Sequence, residues 1–110
     1  MPDRPQRPRV VYRIVRSDPP TARDFLSPSA LGRHFADPRQ VQLASGLSVF
    51  RTEEQARRQA RRYDLGRFLA ELHLSDEWQV ERTLRTSGHH TVFADTEILL
   101  RAVVRVIAVD

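Results

Sequence analysis

Between Gly46 and Leu74 the chain reads GLSVFRTEEQARRQARRYDLGRFLAELHL, and this stretch constrains the fold more than any other. Leu47 to Arg51 alternates as a strand, with Leu47 and Val49 on one face. Thr52 then begins a helix. Its hydroxyl can accept the backbone N–H of Gln55 while the Gln55 side chain reaches back, the reciprocal pattern of a capping box. Glu53 and Glu54 occupy the first turn, where the helix dipole favours anions, and each precedes an arginine by four residues, Arg57 and Arg58. Ala56, Ala60 and Tyr63 form an inward stripe whose two alanines let a helix lie close to a sheet. Asp64-Leu65-Gly66 ends the helix with glycine available for a left-handed cap. Arg67 to Leu74 resumes as a strand, with Phe68, Ala70, Leu72 and Leu74 on one face and Leu69, Glu71 and His73 on the other.

A chain of 110 residues supports one hydrophobic core and one domain. Hydrophobic residues make up 40% and charged residues 29%, which is the balance of a folded globular protein and not of a disordered one. No apolar run approaches the roughly 20 residues that span a bilayer, and the N-terminus lacks the apolar core of a secretory signal. The expectation is a cytoplasmic protein without a membrane partner. The absence of cysteine excludes disulfides, thiolate nucleophiles and cysteine-ligated zinc.

The formal charge of +4 raises the question of nucleic acid, so its location matters. Residues 1–9, MPDRPQRPR, hold three arginines against one acid, and their prolines disfavour both helix and central strand. This segment reads as a flexible leader to a single domain over residues 10–110. The remaining chain is close to balanced. Arg57, Arg58, Arg61 and Arg62 line one helix face, yet Glu53, Glu54 and Asp64 dilute it. A solvated surface is the favoured reading over a nucleic-acid stripe.

From Val10 the run VVYRIVR predicts the first strand. Val10, Tyr12 and Ile14 share one face; Val11, Arg13 and Val15 share the other. An arginine flanked by valines either snorkels at a sheet edge or points into a pocket for an anionic ligand. Ser17 to Gln42 is broken by prolines and reads mostly as loop, with short helical turns over residues 21–26 and 29–35. After a turn at Ser75-Asp76-Glu77, Gln79 to Leu84 is expected to pair antiparallel with the preceding strand. Val80, Arg82 and Leu84 would lie on one side, Glu81 and Thr83 on the other.

A further turn, Arg85-Thr86-Ser87-Gly88, leads into His89-His90-Thr91-Val92-Phe93. Adjacent histidines on a strand point to opposite faces, so they cannot chelate one metal as a pair. A third ligand, His73, Asp95 or Glu97, lacks any recognisable spacing, and no metal is expected. Asp95 is placed to cap a short helix near 96–100. Ala102 to Val109, AVVRVIAV, has the nearly continuous apolar character of a central strand. The sum is an α+β domain: a mostly antiparallel twisted sheet with one main helix, about 52–64, and a short helix near 96–100.

Tyr12-Arg13 on the opening strand and Ser48-Val49-Phe50-Arg51-Thr52 leading into Ala56 and Ala60 resemble the small bacterial ADP-ribosyltransferase-like proteins, including the RES-type toxins of toxin–antitoxin pairs. The resemblance implies binding of nicotinamide adenine dinucleotide (NAD) and transfer or hydrolysis of ADP-ribose. By position, Arg13 would hold phosphate or ribose, with Ser48 and Thr52 orienting the nicotinamide end. A glutamate, Glu81 or else Glu53 or Glu54, would assist glycosidic cleavage, with His89 or His90 contacting cofactor or acceptor. The alternative is a non-catalytic regulatory module, such as an antitoxin, an immunity protein or a phage-related adaptor, whose arginine-rich helix and tail meet an acidic protein partner. If the transferase reading holds, Arg13, Ser48 and one of His89 or His90 line the same cleft.

Overall fold

A computed structural model describes residues 8–84 and 88–110. The turn expected at Arg85-Thr86-Ser87 and most of the N-terminal leader lie outside these residues. The fold is α+β, as the pattern of elements requires. Six strands, β1 (Val10–Val15), β2 (Leu47–Phe50), β3 (Phe68–His73), β4 (Gln79–Leu84), β5 (His89–Phe93) and β6 (Val103–Ala108), form one sheet in the order β4-β5-β2-β1-β3-β6. Every pairing is antiparallel. Among the described residues three helices accompany them: α1 (Pro38–Ala44), α2 (Glu53–Tyr63) and α3 (Thr96–Arg101).

Strand alternation divides the apolar residues between the two faces of this sheet. One face carries Val11, Val15, Leu47, Val49, Ala70, Leu72 and Val92, covered by Phe25 from a 3-10 turn over Ala22–Phe25 and by Leu99 from α3. We call it the turn face. On the opposite, helix face, Ala56 and Ala60 of α2 pack against Phe50, Leu69 and Val109, with Tyr12, Ile14 and Ile107 at the margin. The two alanines are 0% and 2% exposed, which is the close approach that the sequence predicts. Tyr63 departs from the expected stripe. It is 57% exposed, with the Arg62 guanidinium 5.4 Å from its ring centroid.

The N-terminus of α2 is built as expected. Thr52 Oγ1 accepts the Gln55 N–H at 3.1 Å and Gln55 Oε1 accepts the Thr52 N–H at 3.2 Å. Its C-cap differs. Asp64, not Gly66, takes the left-handed conformation, at φ 50°, a geometry that short polar side chains tolerate. Gly66 is needed for another reason: a Cβ there would sit 2.6 Å from the Val15 carbonyl oxygen.

Three other expectations require correction. β4 does not pair with β3, whose two edges are taken by β1 and β6; it pairs with β5 at the far side of the sheet. The connection between them brings Leu74 and Trp78 onto the turn-face cluster, so apolar burial outweighs a local hairpin. β6, despite its apolar sequence, is an edge strand. Finally, the proline-broken segment contains α1, with Asp37 as N-cap accepting from the Arg39 N–H and Pro38 in the first turn. Proline is well suited to that position, where an N–H would have no helical partner.

Candidate functional site

Side chains in register across a sheet share a face, so the pairings place each candidate. Ser48 lies opposite Thr91, Thr91 opposite Glu81, and His89 opposite Phe50. Phe50 belongs to the helix-face cluster. Ser48, Glu81 and His89 are therefore brought together on the helix face, at the β4-β5-β2 end of the sheet. Val49 lies opposite His90 and Ala70 opposite Arg13, and both apolar partners belong to the turn face. Arg13 and His90 are thus on the other side of the sheet from Ser48, Glu81 and His89. The two histidines diverge, as alternation demands.

Arg13 is a partly buried structural tie. Its Nε donates to the Asp24 carbonyl at 3.1 Å and its Nη1 to the Ser48 carbonyl at 2.9 Å. It links the 3-10 turn to β2 where the β1–β2 ladder is reduced to Tyr12 opposite Phe50. Desolvation pushes the guanidinium down to about 10, against an opposing pull from Asp24, and it remains a cation at neutral pH. Asp24 is itself anchored. Burial alone would raise its carboxyl, but the Arg16 and Thr21 N–H groups, the Ser17 hydroxyl and the Arg13 charge outweigh burial and hold it below its ordinary value.

On the helix face, the Thr83 and Thr91 hydroxyls meet at 2.7 Å, and Thr91 is 3% exposed. Glu81 Oε2 stands 3.0 Å from Arg39 Nη1 of α1 without hydrogen-bond alignment, and its Oε1 accepts from Gln79 Nε2 at 3.3 Å. The His89 ring lies 5.3 Å from that of Phe50, and its buried Nδ1 has no hydrogen-bond partner among the described residues. Desolvation, followed by the charges of His90 and Arg13, lowers its pKa, so the ring is neutral at pH 7. Thr52 is spent on the helix cap. His90 Nδ1 pairs with the Gly88 carbonyl at 2.8 Å.

A second polar group on the helix face was not foreseen. The Tyr12 hydroxyl donates to Glu71 at 3.1 Å, Arg105 Nε donates to the same carboxylate at 3.0 Å, and Arg105 also approaches Glu53, which pairs with Arg57 at 2.7 Å. Burial would raise the Glu71 carboxyl, yet Arg105, Tyr12 and His73 together hold it low. Arg57 and Arg61 further donate to the Ala108 and Val109 carbonyls. The pairing of Arg57 with Glu53 was legible from their spacing; the reach to the last strand was not, because it spans about half the chain. Arg57 and Arg61 line a shallow groove with Glu54, Arg58 and Arg62.

Among the described residues no three histidine or acidic side chains converge as a metal site, and no helix is long and apolar enough to cross a membrane. No protein-family model, curated protein or solved structure matches the chain.

Proposed function

We propose that this α+β domain works as a non-catalytic binding or regulatory module for a protein partner. One observation carries this reading: Arg13, the cation that would hold the phosphates of a dinucleotide, is engaged with two main-chain carbonyls on the face opposite Ser48 and His89. A nicotinamide dinucleotide site needs those groups around one cavity. The exposed guanidiniums of Arg62 and of Arg58, the latter paired with Glu54 at 3.3 Å on the surface, line the α2 groove and are the cations offered to an acidic partner surface.

A second reading is favoured by a different observation, the convergence of Ser48, Glu81 and His89 on one face. There, ADP-ribose transfer or hydrolysis would use Glu81 to stabilise positive charge developing on the ribose and neutral His89 as a hydrogen-bonding group. The two readings separate in one experiment. Calorimetry with NAD, together with an assay for free nicotinamide from pH 6 to 9, should show neither heat nor product. Nicotinamide release that Glu81→Gln abolishes would replace the module by the transferase.

A further inference from the structure

The two edges of the sheet are finished differently. β4 ends one side with Gln79, Glu81 and Arg82 and is braced by the Arg39–Glu81 ion pair. Charged side chains of this kind discourage strand addition. β6 ends the other side with the sequence VVRVIA. Its one charged residue, Arg105, is turned back onto Glu71 and Glu53. Val104 is 52% exposed and Ala108 is also exposed, and among the described residues β6 pairs with β3 alone.

Ladder geometry identifies the unpaired main chain. Val109 donates its N–H to the Arg67 carbonyl at 2.9 Å, so Val109, Ile107 and Arg105 direct their main-chain groups toward β3. The residues between them, Val106 and Ala108, direct theirs outward by the alternation of an antiparallel pair. The Ala108 carbonyl is partly occupied by Arg57 Nη2 at 3.3 Å. The N–H and C=O of Val106 and the N–H of Ala108 face away from the sheet. A register irregularity beside Val104, where β3 shifts between Glu71 and Leu72, limits the regular edge to residues 105–109.

We propose that β6 is a self-association edge and that its occupant is a second copy of this chain, paired antiparallel about a two-fold axis at Val106. In that register Val106 faces Val106 of the other copy and Arg105 faces Ile107 of the other copy, while Val104, at the irregularity where the regular edge ends, is the residue that comes nearest Ala108. No like charges are opposed along the outward row. The axis also closes the assembly: both β6 edges are consumed and the charged β4 edges remain outermost, so pairing stops at two chains. The helices α2 of both copies then lie on the same side of a continuous sheet. This inference does not depend on whether the domain is a module or an enzyme.

Sedimentation equilibrium from micromolar to submillimolar chain should show a monomer–dimer equilibrium. Val106→Pro removes an outward N–H, a position where an edge strand tolerates proline, and Val104→Lys places a charge beside the axis. Each should weaken dimerisation by at least about tenfold, a cost of roughly 1.4 kcal/mol, with an unchanged far-ultraviolet circular dichroism spectrum. Val104→Lys keeps the test informative if the proline variant fails to fold. On dimerisation the amides of Val106 and Ala108 should gain protection from hydrogen exchange. A monomer throughout this range, a dimer indifferent to Val104→Lys, or higher oligomers without a dimer endpoint would each overturn the proposal.

Discussion

At the scale of single residues, burial decides which candidates remain chemically available. Arg13 stood out in the sequence because valines flank it, and both readings of that pattern assumed its head group would meet water or a ligand. The structure gives it main-chain carbonyls instead, an outcome invisible from spacing because one acceptor lies eleven residues away and the other thirty-five. His89 was legible as a residue facing away from His90, and its environment carries a testable consequence. The folded ring has a pKa below its ordinary 6.5, so between the two values the unfolded chain binds more protons and stability rises with pH. The contribution is complete above 6.5 and is lost as pH falls through the folded value. Thermal unfolding should therefore show a falling Tm from pH 7.5 toward pH 5 that His89→Phe makes shallower. The losses carried by the lowered carboxyls Glu71 and Asp24 begin only below their ordinary 4.5 and 3.8 and should persist in the variant. An unaltered slope in His89→Phe would mean that the ring titrates alike in both states.

At the scale of elements, local signals succeeded where the controlling interactions are local. The α2 cap is set by residues three apart, and the strand faces follow from a period of two. Pairing partners are different, since they depend on which edges remain free after long-range packing. This is why the sequence alone pairs β4 with β3 and places the apolar β6 at the sheet centre. In β6 apolar composition does not even report burial, since none of its six residues is fully buried, and edge position concerns main-chain groups that no side-chain pattern records. The cap of α2 can be isolated experimentally. Thr52→Ala deletes the acceptor for Gln55 N–H and should cost about 1 kcal/mol in urea unfolding, while Thr52→Ser retains most of it. Gln55 also sits where a Cβ on Gly88 would overlap it, and Gly88 has φ 66°. The capping side chain and the start of β5 thus depend on one another. A cost for Thr52→Ala indistinguishable from that of Thr52→Ser would show that packing alone holds the helix entrance.

At the scale of the whole molecule, one sheet separates two apolar layers, and β3 belongs to both. Leu69 points into the helix-face cluster and Leu72 into the turn-face cluster, at 0% and 1% exposure. Neither layer can come apart without disturbing the strand that carries the other, so both should be lost in a single cooperative transition. The molecule supplies a reporter for each side. Trp78, the single tryptophan, packs against the turn-face cluster, while α2, the longest helix, covers the opposite face. Urea titrations followed by tryptophan fluorescence and by helical circular dichroism should give coincident curves. Leu69→Ala and Leu72→Ala should each lower the midpoint of both curves together, by a cost within the roughly 2–5 kcal/mol of buried leucine truncation. If Leu69→Ala moved the helical signal and left the tryptophan signal in place, the layers would be independent units, and coupling through β3 would have to be abandoned.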